Sequence, residues 1–237
     1  MKSVLDLTKL TNALNYQFNK TELLQEALTH RSASSKNNER LEFLGDSILN
    51  FVIAAELFNL YANLPEGDLS RIRASLVNKD GLALVAADLN LGDFLTLGSG
   101  ELKSGGYRRN SILADAVEAI FGAVYMDRGF DDCRDLILRL YQQQLNNIPD
   151  PSLLKDPKTR LQELLQSRKL DLPDYEVISV SGKAHNQMFN IECQIKALGI
   201  IAQGKASSRR KAEQQAAASA IDAVESSFKS TKISRKK

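Results

Sequence analysis

Cysteine and histidine are scarce in this chain, with two of each among 237 residues. Cys133 and Cys193 stand far apart, and neither has a second ligand-type residue beside it. That pattern argues against a disulfide framework or a Cys/His zinc site and suits a reducing compartment. With so few histidines, no Ser-His-Asp or Cys-His nucleophile arrangement can be assembled. His30 has no obvious nucleophile and reads as structural. Long apolar runs are also missing. The opening MKSVLDLTKLTNALNYQF lacks a signal-peptide core, and no later segment approaches the roughly 18 apolar residues of a membrane helix. The expectation is a cytoplasmic protein with no membrane association.

The formal charge of +2 conceals an asymmetry. Residues 1–150 hold 15 Lys and Arg against 20 Asp and Glu, whereas residues 151–237 hold 16 against 9. An acidic module joined to a basic one suits an enzyme that gathers a polyanion with one part and places metal on it with the other. The length accommodates one domain near 150 residues and a second near 70. Prolines 149, 151 and 157 punctuate NNIPDPSLLKDP and mark the join. The expected division is a first domain over 1–148, a linker over 149–156, a small domain over 157–226 and a basic tail over 227–237.

The first domain reads as all helical. Apolar positions recur at helical spacing from Leu10 to Leu28, broken at Asn19-Lys20, with Thr21 as a candidate N-cap. The Ser/Asn-rich HRSASSKNNER is a loop that delivers Asn37 or Asn38 to the mouth of the next helix. That helix opens with NERLEFLGDS, residues 38–47, and continues through SILNFVIAAELFNLY, apolar on nearly every face. Glu39, Glu42 and Asp46 lie three and four residues apart and form one acidic stripe. Further helices are expected over 63–89, and residues 92–110, with five glycines, read as an irregular loop. In ILADAVEAIFGAVYMD, Asp115 and Glu118 are one turn apart within an otherwise apolar helix. Asp131–Leu145 is expected as the last helix of the domain.

A stripe of carboxylates alone has a second reading as a solvated face. The second pair changes the balance, because half-buried carboxylates must be paired, protonated or bound to metal. If the two helices cross here, Glu39, Glu42, Asp46, Asp115 and Glu118 form a hard oxygen site of the kind Mg²⁺ takes. Zinc is disfavoured for want of nitrogen and sulfur donors.

The small domain reads α-β-β-β-α. TRLQELLQSR is a helix, strands follow near Tyr175–Val180, Met188–Ile195 and Gly199–Gly204, and the Ala-rich stretch 207–228 is a second helix capped by Ser207 or Ser208. Arg209, Arg210 and Lys211 open that helix, either as an ordinary basic start or as a phosphate-binding arrangement. His185, in the first hairpin turn, either reaches a groove edge or is simply solvated.

These motifs resemble bacterial ribonuclease III over nearly all of the chain. NERLEFLGDS is similar to the family's signature decamer, LADAVEAIFGAVYMD and the preceding GELKSGG resemble its second acidic region, and the small domain resembles a double-stranded-RNA-binding domain. The resemblance implies a homodimeric, Mg²⁺-dependent endonuclease, with Mn²⁺ as a substitute and no organic cofactor. It cuts duplex RNA, including ribosomal RNA precursors and structured messages, to 5′-phosphate and 3′-hydroxyl ends with two-nucleotide 3′ overhangs. By resemblance, Glu42, Asp46, Asp115 and Glu118 are metal ligands, Asp46 and Glu118 the leading catalytic residues, and Glu39 a support on the substrate side. Phe43 corresponds to an aromatic residue inserted into the other subunit, and Glu66 to an acidic residue near the catalytic valley. Gln162, Glu163 and His185 correspond to minor-groove contacts, and Arg209, Arg210 and Lys211 to contacts with phosphates. Glu213 departs from the pattern, standing where many such domains carry lysine. The alternative reading is a non-catalytic duplex-RNA-binding regulator, against which the four retained carboxylates argue.

Overall fold

The structure is a computed structural model that describes residues 7–148, 150, 154–183 and 186–234. The chain divides after residue 149 into two compact units. The first contains helices α1 (Thr8–Leu14), α2 (Thr21–Ala27), α3 (Glu39–Leu60), α4 (Glu66–Val77), α5 (Lys79–Asp88), α6 (Ser99–Lys103), α7 (Asn110–Arg128), α8 (Phe130–Leu140) and α9 (Gln142–Asn146). The second contains α10 (Pro157–Gln166), β1 (Asp174–Ser181), β2 (Met188–Ile195), β3 (Ile200–Ala206) and α11 (Arg209–Ser234). An all-α unit followed by an α-β-β-β-α unit is the architecture the sequence predicts.

Helices α3 and α7 are the axis of the first unit. Along α7, Ala116, Val117 and the run Ala119 to Val124 are buried, with only half-buried Glu118 between them. A helix buried on most of its faces has the other helices packed around it, and Glu118 is the one polar side chain in this stretch. Each fully buried Leu, Ile or Val contributes about 1.5–3 kcal/mol relative to exposure. Where α3 and α7 meet, two glycines replace side chains: a Cβ on Gly45 would overlap the carbonyl of Glu118, and one on Gly122 would overlap the carbonyl of Leu41. The helices therefore touch through main-chain atoms.

The far end of α7 is clasped to the start of the chain. Asp127 Oδ2 accepts from the Tyr16 hydroxyl and the Asn19 amide, each at 2.9 Å, and Oδ1 accepts from the Lys20 amide at 2.9 Å. Arg128 donates to the Gln17 carbonyl at 2.7 Å.

Several local expectations change. Thr21 is the first residue of α2 rather than its cap, and Lys20 at the cap position makes no side-chain capping bond. The glycine-rich stretch 92–110 contains α6 and two short 3-10 turns, 91–94 and 106–108. Glycine content hid these elements because they are one turn long and have no hydrophobic period. The expected helix over 131–145 is two helices that part at Tyr141, whose ring is fully buried. Asn78 caps α5, accepting from the amides of Asp80 and Gly81 at 3.0 and 2.9 Å.

In the second unit the sheet order is β1-β2-β3, antiparallel throughout, with a register irregularity between Val177 and Ser179. Its core joins Leu161 and Leu165 of α10, Ile191, Cys193 and Ile195 of β2, and Ala212, Ala216, Ala217 and Ala220 of α11. The alanines let α11 lie close on the strands. Ser208 caps α11, its hydroxyl accepting from the Lys211 amide at 3.3 Å. The helix continues to Ser234, past residue 226.

Candidate metal centre

Asn38 precedes α3 and is buried, and its amide donates to the Thr29 carbonyl at 2.9 Å. The start of α3 is thereby tied to the Leu28–His30 segment, which itself bonds to Thr96. Asn37 Oδ1 accepts from the Glu39 amide at 3.0 Å and satisfies a free donor of the first turn. From this anchored start Glu42 points toward α7. The glycine crossing sets α3 so close to α7 that one oxygen from each of Glu42, Asp115 and Glu118 lies within 4.8 Å of the others.

Three half-buried carboxylates at that separation repel unless a proton or a cation joins them. Burial first, then the charges of Asp46, Glu42 and Asp115, push Glu118 up to about 8. Burial and then the neighbouring carboxylates also raise Glu42. Asp115 is raised by burial, against the opposing charges of Lys79, His30 and Arg31. The fully buried hydroxyl of Tyr141 has no hydrogen-bond partner among the described residues, and burial followed by the Glu118 charge holds its proton on. All three converging donors are carboxylate oxygens, which fits a hard divalent cation with water completing its coordination.

The sequence-predicted ligands are not equivalent. Asp46 stands outside the three-oxygen cluster, exposed, with Oδ1 accepting from Asn50 Nδ2 at 2.8 Å. Its charge still acts on Glu118. Glu39 also lies outside the cluster, paired to Arg31 at 3.4 Å. Glu66, at the start of α4, accepts from the Ser70 hydroxyl at 2.7 Å. It lines a separate recess of about 180 Å³ with Leu57, Phe58 and Arg73. Phe43 is 78% exposed.

Beside the carboxylates lies a cavity of about 470 Å³ whose wall includes His30, Arg31, Glu39, Lys79, Glu101 and Arg109. Arg109 pairs with Glu101 at 3.0 Å. Lys79 is the residue that sequence reasoning missed. It opens α5, distant in the chain from every acidic motif, and nothing in its neighbourhood signals the site. His30 faces this cavity, and its Nδ1 lies 2.8 Å from the Ser32 hydroxyl.

In the second unit, Gln162, Arg209, Arg210 and Lys211 are exposed. Glu163 is bound by Lys155 Nζ at 2.7–2.8 Å. His185 lies outside the described residues.

Comparison with known proteins joins the two units. The "Ribonuclease-III-like" family matches residues 20–145, and the "Double-stranded RNA binding motif" matches residues 157–224. The chain is 55% identical over 222 residues to ribonuclease 3 of Shewanella frigidimarina, covering 94% of this chain and 98% of that one. Ribonuclease 3 of Vibrio cholerae is 54% identical over 216 residues, covering 91% and 96%. The crystal structure of the ribonuclease III nuclease domain from Campylobacter jejuni is 44% identical with a TM-score of 0.59, covering 62% of this chain and all of that one. With its acidic crossing and its second, RNA-binding unit, this chain belongs to the ribonuclease III family and is a metal-dependent endoribonuclease acting on double-stranded RNA.

Proposed function

We propose that Glu42, Asp115 and Glu118 hold Mg²⁺, with Mn²⁺ as a substitute, and that Asp46 completes the reacting side of the site. The observation that carries this reading is the convergence of three carboxylate oxygens within 4.8 Å. In such a site the cation supplies an activated water and offsets charge on the leaving oxygen. Asp46, braced by Asn50, and Glu118 are assigned to hold and move the proton of the attacking water. Glu39, with Arg31, supports the substrate side of the cavity, and Glu66, in its separate recess, is assigned to the edge of the catalytic valley. The products are 5′-phosphate and 3′-hydroxyl ends with two-nucleotide 3′ overhangs, from ribosomal RNA precursors and structured messages in the cytoplasm.

A second copy of the chain supplies the second cut. Phe43, Phe51 and Phe58 are 78%, 61% and 70% exposed on α3, more apolar surface than a solitary helix leaves to water. A Campylobacter jejuni ribonuclease III nuclease domain, 45% identical, is described for flexibility in a region involved in dimer formation. Gln162, Glu163 and His185 are assigned to minor grooves and Arg209, Arg210 and Lys211 to the phosphates between them, a mode that reads duplex shape.

The test is cleavage of an end-labelled RNA duplex with and without Mg²⁺, beside single-stranded RNA and duplex DNA. Cutting confined to duplex RNA plus Mg²⁺ is expected. Glu118→Gln should retain duplex binding and lose most cleavage, and equal loss of both would overturn its assigned role.

A further inference from the structure

Glu213 puts a negative charge inside the basic start of α11, where it would be expected to weaken attraction to a polyanion. Its surroundings give it another part. The side chain is only 13% exposed, and each oxygen holds a different cation: Oε1 accepts from Arg209 Nε at 2.9 Å and Oε2 from Lys158 Nζ at 2.7 Å. The bond from Lys158, and then that from Arg209, keep the carboxyl below its ordinary range. Arg209 sits one turn before Glu213 on α11, whereas Lys158 belongs to the first turn of α10. The carboxylate therefore bridges two helices.

The bridge is part of a longer seam. The Lys158 amide donates to Gln214 Oε1 at 3.0 Å, and Gln214 Nε2 donates to Asp156 Oδ1 at 2.8 Å. Asp156 caps α10 through the Thr159 amide at 3.2 Å. Lys158 Nζ also lies 4.4 Å from the centre of the Tyr175 ring. Glu213 is thus fixed from one side by a lysine that has little freedom of its own.

The consequence falls on Arg209. Only its Nε is used, and its two terminal nitrogens have no hydrogen-bond partner among the described residues, while the side chain is 63% exposed. A guanidinium gripped at Nε keeps a planar edge of terminal N–H groups free, the edge that matches two oxygens of one phosphate. A free arginine loses rotamer entropy when it takes that pose. Here the pose is already held.

We propose that Glu213 is a positioning residue for RNA binding, holding the Arg209 guanidinium so that its terminal edge meets a backbone phosphate. The proposal rests on the duplex-RNA reading of this unit. It predicts that removing a negative charge from a basic surface weakens binding to a polyanion, the opposite of what net charge alone demands.

The experiment measures affinity of the full chain for two unrelated RNA duplexes, in EDTA to prevent cutting, across a salt series. Wild type, Glu213→Ala, Glu213→Gln, Arg209→Ala and the Glu213→Ala/Arg209→Ala pair are compared. Glu213→Ala should bind about 3–10-fold more weakly with a salt slope flatter by roughly one contact. Glu213→Gln, which keeps an acceptor for Nε, should recover part of the loss. The double variant should bind no more weakly than Arg209→Ala alone. Tighter or unchanged binding by Glu213→Ala, or additive losses in the double variant, would overturn the proposal. If Glu213→Ala does not fold, the same signs are read from Glu213→Gln, for which wild-type or tighter binding is the overturning result. Wild type that ignores duplex RNA would instead overturn the function reading.

Discussion

Gly45 lies against the main-chain carbonyl of Glu118 so closely that a Cβ at residue 45 would overlap its oxygen. Gly45→Ala must push α3 from α7 or bend one of them, because backbone offers no rotamer to move aside. Overpacking of this kind costs about 1–3 kcal/mol, and the separation it forces falls directly on Glu42 and Glu118. Thermal unfolding should shift down by roughly 3–10 °C and cleavage should drop at least ~10-fold. An alanine variant with native melting and native rate would show that the crossing does not set the site.

Glu118 carries a pH signature that can be isolated in the metal-free protein. Its carboxyl titrates near 8 in the fold against an ordinary 4.5. Between these values the folded state binds more protons than the unfolded one, so stability falls as pH rises. The contribution is fully present below 4.5 and lost on passing 8. Glu118→Gln has no such loss. In EDTA, the variant should therefore gain on wild type across that window by roughly 1–3 kcal/mol, after allowance for partial exposure. Melting curves at pH 5 through 9 measure it, and a gap independent of pH would refute the reading. Added Mg²⁺ should stabilise wild type more at high pH than at low, since binding must displace the proton.

Phe43→Ala tests the exposed stripe on α3. With 78% of Phe43 open in the single chain, its removal should barely alter the stability of the isolated fold. Self-association should weaken by about 10–100-fold, as truncation of a buried interfacial aromatic does. Sedimentation across a concentration series distinguishes the outcomes, and an unchanged profile would remove Phe43 from the interface.

Arg210 is exposed on the first turn of α11. Arg210→Ala should weaken binding about 3–10-fold on unrelated duplexes and lower the salt slope by roughly one contact. A loss confined to one sequence would instead mean that Arg210 reads bases.

Much of this site was legible because its signals are local. The spacing of Glu39, Glu42 and Asp46 assigns one helical face without any tertiary knowledge, and an Asp115–Glu118 pair in an apolar helix demands a partner on energetic grounds. Local spacing could not tell that Asp46 leaves the three-oxygen cluster while Glu42 enters it, because that depends on how α3 is rotated against α7. The two glycines were a readable but unused signal. Glycine inside an apolar helix costs about 1 kcal/mol relative to alanine, which is tolerable where another backbone needs the space. Lys79 and the Lys158–Glu213 bridge had no signal of this kind, since each joins segments remote in the chain. Glu213 read as a mere departure from a basic pattern for the same reason.

The Asp127 clasp gives α7 a second fixed point beyond the glycine crossing. A helix secured at a single crossing can still slide along its axis, and each residue of slide is about 1.5 Å. That displacement would carry the Asp115 and Glu118 oxygens away from the Glu42 oxygen, which lies within 4.8 Å of both. Because Tyr16, Asn19 and Lys20 grip the end of α7, such a slide must first break three hydrogen bonds. The segment that opens the chain, which contributes no ligand, thus acts as an axial stop that keeps two carboxylates in register with a third on another helix.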